Sequence, residues 1–333
     1  MLGEYPRSVG CSGESIVRRT GQSEGLDKFS FVIDLKVRIL YIVSQKMNCK
    51  YIALCQLYIQ ESWKSTDVNR FPGPQPVSIE RRHFPLLKRQ PYVVCEKTDG
   101  VRYFLLCPPG SKEAFLVNRS FAVEAVSFAG FPKDTLLDGE LVTTKDGRQL
   151  FVIHDAVRVK GFDLMNEPLS ARLGFAITAI KGVIKSRKDP FELRVKEMIE
   201  LSRISDLKPL DSFEYETDGL VFTPINEPIR MGTHETMFKW KPLDRITIDF
   251  DIRGGSQLYV QERGVPYFEA ELHIQNQRHG IPDGTIVECG YGPLGWFVEK
   301  TRPDKNHANN RRTYYNTCTN LRENIQLEEF YTV

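Results

Sequence analysis

Glu96-Lys97-Thr98-Asp99-Gly100-Val101-Arg102 is the stretch whose reading decides the fold. Pro91-Tyr92-Val93-Val94-Cys95 precedes it and Tyr103-Phe104-Leu105-Leu106 follows. Both flanks are β-branched, aromatic or aliphatic, so two strands are predicted around a tight Asp-Gly hairpin turn. One lysine and one arginine sit at the mouth of that turn. Such a lysine is ordinarily just solvated. One that loses its proton is a covalent nucleophile, and the rest of the chain must supply the surroundings that allow it.

Moving outward, Thr135-Leu136-Leu137-Asp138-Gly139-Glu140-Leu141-Val142 and Glu216-Thr217-Asp218-Gly219-Leu220-Val221-Phe222 repeat the pattern of Asp-Gly beside a strand. The remaining Asp-Gly pairs, at Asp146 and Asp283, read as turns only. Phe151 to Val157 is an apolar strand carrying His154 and Asp155. In Met237-Phe238-Lys239-Trp240-Lys241-Pro242 the alternation puts both lysines on one face of a strand. The polar residues at strand ends are thus Lys97, Arg102, Arg119, Glu140, Asp155, Asp218, Lys239 and Lys241. Each alone has a bland reading, as a turn, a solvated acid or a paired lysine. Together they suit a nucleoside triphosphate with a divalent metal, cations on phosphate oxygens and carboxylates on metal or ribose. Neighbouring cations, burial and a metal all disfavour an ammonium, and a free amine at Lys97 can then attack an α-phosphorus in line with pyrophosphate. Thr301-Arg302-Pro303-Asp304-Lys305-Asn306-His307-Ala308-Asn309 is a polar loop that would serve as a mobile second jaw on the β and γ phosphates.

With 333 residues the chain predicts about two domains. A net charge of +2 provides no global field for a polyanion. Nucleic-acid contact must come from local clusters such as Arg81-Arg82, Lys88-Arg89 or Arg311-Arg312. Seven cysteines without a CxxC pair argue against a disulfide framework or a zinc site and fit a reducing compartment. The N-terminus lacks a signal-peptide layout. Residues 1–28 read as disordered or loosely attached, and 29–65 as apolar helical material of unclear role. Within the latter, Leu40 to Ile59 reads as core or a docking helix, interrupted by Lys46, Asn48 and Lys50. Phe71-Pro72-Gly73-Pro74-Gln75-Pro76-Val77-Ser78 is extended. Helices are predicted over 168–184 and 195–203. After Pro242 the alternation of Ile246, Ile248, Phe250 and Ile252 begins a run of short antiparallel strands, read as a small β-barrel, with a last helix over 309–325. The organisation is therefore an extension over 1–65, a catalytic domain over 66–243 and a barrel domain over 244–333.

The chain resembles the mRNA capping enzyme guanylyltransferases, within the covalent nucleotidyltransferases that include DNA and RNA ligases. Six motifs carry the likeness in family order: Lys97 to Arg102, Asp138 to Val142, Phe151 to Val157, Asp218 to Phe222, Lys239 to Pro242, and Arg302 to Lys305. The Phe71 to Ser78 segment is similar to the one preceding the nucleophile in capping enzymes. The resemblance implies an α+β fold, with a nucleotidyltransferase domain of antiparallel sheets flanked by helices and a C-terminal OB-fold. It implies transfer of GMP from GTP through a covalent lysyl-GMP on Lys97 to 5′-diphosphate RNA, with Mg²⁺ or Mn²⁺. Arg102 and Glu140 would contact ribose, and Arg119 the nucleotide phosphates or ribose. Lys239 would touch the nucleotide and Lys241 the α-phosphate. Asp218 and Asp249 would serve the metal and phosphate environment, with Glu140 a further metal candidate. Arg302, Asp304 and Lys305 would orient pyrophosphate. One departure is His154, where the family usually has Phe or Tyr stacking on guanine. An ATP-dependent polynucleotide ligase is the alternative enzyme. It is opposed by Asp218-Gly219 in place of Glu-Gly and by the tryptophan between Lys239 and Lys241. A non-catalytic OB-fold nucleic-acid-binding protein is the alternative of a different class. The 333 residues hold no HCxxGxxR loop and no glycine-rich methyltransferase motif. RNA triphosphatase and cap methyltransferase are accordingly expected on other chains, with docking to the RNA polymerase II tail, a nuclear location and no membrane association.

Overall fold

The computed structural model describes residues 50–67, 69–278 and 280–333. The expectations for 1–28 and for most of 29–65 fall outside them. A helix, α1, runs through 50–63. The next elements are β1 (Gln75–Ser78), α2 (Phe84–Arg89), β2 (Tyr92–Thr98), β3 (Val101–Cys107), β4 (Ala114–Asn118) and β5 (Val123–Val126). They continue with β6 (Thr135–Thr143), β7 (Gln149–Val159), β8 (Phe162–Asp163), α3 (Leu169–Lys181), β9 (Glu192–Val195), β10 (Ile199–Glu200), β11 (Thr217–Pro224) and β12 (Thr233–Trp240). The C-terminal part holds β13 (Thr247–Arg253), β14 (Gln257–Glu262), β15 (Val265–Glu271), β16 (Thr285–Gly292), β17 (Gly295–Thr301) and α4 (Arg311–Glu323).

The strands flanking Asp99-Gly100 do not pair with each other, which corrects the hairpin expectation. β2 belongs to a sheet of order β1-β12-β11-β2-β10, whereas β3 lies in β5-β4-β3-β6-β7-β8, with β9 alongside β7. Lys97 sits opposite Gly219 on β11, and Arg102 opposite Glu140 on β6. Asp99-Gly100 is therefore the crossing between two sheets. The two basic residues of one motif leave it in different layers. Local turn chemistry does not reveal this, because β2 finds its partners, β10 and β11, more than a hundred residues away, while β3 pairs onward with β4 and β6.

Alternation along β3, β4, β6 and β7 sends neighbouring residues to opposite faces. One face, with Leu105, Leu116, Leu137, Phe151 and Ile153, packs on Ala176 and Ala179 of α3. The other, with Phe104, Leu106, Phe115, Val117 and Leu136, packs on Cys55, Tyr58, Ile59 and Trp63 of α1. The described end of the Leu40 to Ile59 stretch is thus core, and residues 51–63 share it with the strands after residue 100. Trp63 is fully buried, so Trp63→Ala would cost about 3–5 kcal/mol. The helix expected over 195–203 is absent. Val195 ends a strand parallel to β7, Ile199 and Glu200 pair with β2, and Leu201–Asp206 forms 3-10 turns. Edge pairing on two sheets outweighs the local helical preference there.

The C-terminal sheet has order β15-β14-β13-β16-β17, antiparallel throughout. No pairing of β15 with β17 occurs among the described residues, so the strands expected as a closed barrel form an open sheet. Ile248, Phe250, Ile252, Leu258 and Val260 form its core, covered by Tyr314, Cys318 and Leu321 of α4. The chain then returns to the β2 sheet, where Phe330 packs with Phe222 and Trp240. The Trp240 indole donates to the Ile325 carbonyl at 2.8 Å.

Candidate active site

Three neighbouring strands bring the lysines together. Lys97 on β2 donates to Asp218 Oδ1 at 2.8 Å, and Lys241, just past β12, pairs with Asp218 Oδ2 at 2.6 Å. Burial pushes the Asp218 carboxyl up, but Lys97 and Lys241 outweigh it and hold it below the usual carboxylate range. Lys239 has no ion pair among the described residues. Burial, then Lys97 and Lys241, bring its ammonium down to about 8. Both lysines of the Lys-Trp-Lys run thus face the cluster, as the alternation predicts. The approach of β11 to β12 depends on Gly219, at φ +153°, where an added Cβ would lie 1.9 Å from the Trp240 carbonyl oxygen.

Arg102 is buried in the other sheet, away from the lysines. It forms a fork on Asp138, Nε to Oδ1 at 2.8 Å and Nη2 to Oδ2 at 2.6 Å, and Nη1 donates to the Pro74 carbonyl at 2.6 Å. Its guanidinium also lies 5.5 Å from the Phe71 ring centre. The Phe71 to Ser78 segment therefore lids Arg102. Gly73 is needed there, because a Cβ would come within 2.7 Å of Arg102 Nη2. Burial raises the Asp138 carboxyl, and Arg102 and His154 more than reverse that. His154 Nε2 is 3.3 Å from Asp138 Oδ1, so the imidazole at the expected stacking position is anchored from below. The Arg119 guanidinium is lowered, first by partial burial of its charged end and then by Arg102. The Glu140 carboxylate accepts from the Thr98 hydroxyl, which joins the two sheets beside Lys97. Asp155 is outside the cluster: it is buried in a fork with Arg172 at 2.7 and 3.0 Å.

Across the cleft, Asp249 on β13 pairs with Arg302 at 3.1 Å and with Lys305. Arg302 also reaches Glu288 at 3.0 Å and Asp304 at 2.8 Å. Its guanidinium is raised, chiefly by the hydrogen bond to Asp304. All three members of the late motif that were singled out are thus held against their own sheet. A cavity of about 820 Å³ is lined from one side by Lys239 and Lys241 and from the other by Asp249, Arg302 and Lys305. Lys97, Arg102, Arg119, Glu140, His154, Asp218 and Asp304 do not line it.

Sequence reasoning passed over Asp138 as a side chain, Glu288, and a buried group behind Lys97. In that group Lys196 donates to the Glu96 carbonyl at 2.9 Å and to Thr98 Oγ1 at 3.1 Å, and Tyr215 donates to Glu96 Oε1 at 2.8 Å. The available signal was a glutamate inside an apolar strand, since buried charges need partners.

No helix among the described residues is long and apolar enough to cross a membrane. Two family models match: "mRNA capping enzyme, catalytic domain" over residues 34–243 and "mRNA capping enzyme, C-terminal domain" over 235–331. An mRNA-capping enzyme of Danio rerio is 26% identical over 302 residues, covering 80% of this chain and 50% of that protein. An mRNA-capping enzyme subunit alpha of Schizosaccharomyces pombe is 28% identical, covering 79% of this chain and 80% of that one. The chain thus spans half the length of the zebrafish relative and about four-fifths of the fission-yeast one. Among solved structures it is similar to one described as "mycobacterial DNA ligase D complexed with ATP and MES", 15% identical with a TM-score of 0.42, covering 71% of this chain and 96% of that chain. That likeness is too loose to bear on function. With both domain models matched in succession over 34–331, the chain belongs to the mRNA capping enzyme family.

Proposed function

We propose that this chain is a GTP–RNA guanylyltransferase. The observation that carries the reading is the ion cluster of Lys97, Asp218 and Lys241, with Lys239 beside it. Asp218 holds the Lys97 amine in place while two further lysines await the charge of an α-phosphate. Once deprotonated, Lys97 Nζ attacks the α-phosphorus of GTP. A P–N bond forms, the bond from the α-phosphorus to the bridging oxygen breaks, and pyrophosphate leaves with the electron pair. In the second half-reaction a β-phosphate oxygen of 5′-diphosphate RNA attacks the same phosphorus. The P–N bond breaks and the amine is restored. Arg302 and Lys305 meet pyrophosphate after exchanging Asp249 for phosphate oxygens, which requires the cleft to close. Arg119 and Glu140 serve the ribose and phosphates. Arg102 is assigned a positioning role through Asp138 and His154, rather than the ribose contact that the resemblance implies.

A bound divalent metal supplies charge neutralisation on the triphosphate. Among the described residues no group of three His, Cys, Asp or Glu side chains converges to cage one. The donor set fits a hard cation that arrives with the nucleotide and takes one or two carboxylates. Glu140, Asp218 and Asp249 are those that would hold it. The division at residues 66–243 and 244–333, and an OB-fold for the latter, belong to the same proposal, supported by five antiparallel strands and a helix. So do RNA triphosphatase, cap methyltransferase and RNA polymerase II tail as partners, and a nuclear location.

The deciding experiment incubates the protein with labelled GTP or ATP and Mg²⁺ or Mn²⁺. A GTP-specific adduct lost in Lys97→Ala is the expected result. An adduct with ATP instead would make the chain a ligase, and no adduct would make it a binding protein.

A further inference from the structure

The cleft has two mouths of opposite sign. The cavity of about 820 Å³ and a second of about 720 Å³ share Lys241, Thr247, Glu288 and Arg302, so they meet beside the lysine cluster. The first is lined by six cations (Arg82, Lys239, Lys241, Arg302, Lys305 and Arg312) against four carboxylates. The second has seven carboxylates, among them Asp99, Asp244 and Glu299, against four cations. Their uncharged linings differ as well. The first carries six side-chain amides, and the second carries none.

Many of those polar groups come from one helix face. Arg312, Thr313, Asn316, Thr317 and Asn320 of α4 line the first cavity. They recur at the helical spacing, while Tyr314, Cys318 and Leu321 face the C-terminal core. Asn320 donates to the Ile79 carbonyl at 2.7 Å. The side chains of Arg312, Thr313, Asn316 and Thr317 make no hydrogen bond or ion pair among the described residues, and Arg312 and Asn316 are exposed. Solvation accounts for a polar helix face in general; what singles this one out is that it lines the more basic cavity with side-chain donors left open.

We propose that this face of α4 is the floor of the track for the acceptor RNA, which enters by the positive mouth as a single strand. The inference rests on the guanylyltransferase reading and deepens it by naming the route of the second substrate. Phosphates are drawn to Arg312, which has no ion pair among the described residues, whereas Arg82 is already forked on Glu80. They are repelled from the acidic mouth, and the amides present donors and acceptors to unpaired base edges. The 5′-diphosphate then arrives where Lys239, Lys241, Arg302 and Lys305 converge.

Binding of a fluorescent single-stranded RNA with a 5′-diphosphate tests this, by titration of the full chain with no GTP present. Arg312→Glu is expected to weaken binding roughly fivefold or more, and Arg312→Gln to reduce the slope of log Kd on log salt by about 0.7. Lys300→Glu at the acidic mouth, the same change of charge, should shift Kd less than about twofold. Equal effects of Arg312→Glu and Lys300→Glu, or a larger effect of the latter, would overturn the proposal. Adduct formation with GTP is measured separately. An RNA effect at Arg312 without any adduct keeps the track and removes the guanylyltransferase reading. An adduct with unchanged RNA binding in Arg312→Glu does the reverse.

Discussion

The two sides of the cleft carry the same kinds of charge in different proportion, with cations in excess on one and balanced on the other. On the side of β2, β11 and β12, three lysines surround the single carboxylate of Asp218. On the side of β13, β16 and β17, Arg302, Lys305 and Lys300 meet Asp249, Glu288 and Asp304. The first side is left with an excess of positive charge that only an anion can relieve. The second is neutralised internally and can hold phosphate only by giving up bonds it already has. One face is poised to bind, and the other must rearrange before it contributes.

Substitutions on the two sides should therefore differ in kind. Lys97→Ala is expected to abolish the covalent adduct, to below about one-thousandth of the native rate, by removing the nucleophile itself. Gel detection of labelled protein reads this, and an adduct surviving in the variant would place the chemistry elsewhere. Arg302→Ala should slow adduct formation roughly a hundredfold, as expected for losing a charged donor at a transferring phosphoryl group. Single-turnover kinetics would show it, and an unchanged rate would mean that the second side never closes.

A subtler difference follows from Lys239. Its folded pKa of about 8 lies below the unfolded value, so between pH 8 and about 10.4 the unfolded chain binds more protons. Stability attributable to this lysine therefore rises with pH across that window, and its buried charge is a cost below it. Thermal melts of the native protein and Lys239→Met should converge as pH climbs from 7 to 10, by on the order of 2 °C. The affinity for triphosphate should fall over the same range as the charge is lost. Parallel melting curves would contradict the assignment. The smallest effect belongs to His154. His154→Phe gains a larger stacking face and gives up the contact with Asp138, and it should lower the KM for GTP about threefold. A rise in KM would show that the Asp138 anchor matters more than the ring.

Much of this is legible in the amino-acid sequence itself. The alternation around Lys239 and Lys241 put both on one face, and the Pro168 start of α3, the helix at Arg311–Glu323 and the C-terminal strands all follow from local pattern. The hairpin at Asp99-Gly100 and the helix over 195–203 did not survive, because both segments pair with strands distant in the chain. Arg102 shows the same limit within the site. Its place in the motif makes it a candidate for the ribose, but Asp138 and the Pro74 carbonyl claim its donors.

Residue types and their order along the chain were enough to nominate a lysine nucleophile, its cationic company and a separate late motif, because strand periodicity and motif spacing are local properties. Which carboxylate each cation meets, which lysine is left unpaired, and that the cleft has one basic and one acidic mouth depended on how three sheets stack. Charges only a few ångströms apart in space lie more than a hundred positions apart in sequence, as with Lys97 and Asp218, 121 positions apart. Pairings at such separations are set by packing and burial, which no local stretch encodes.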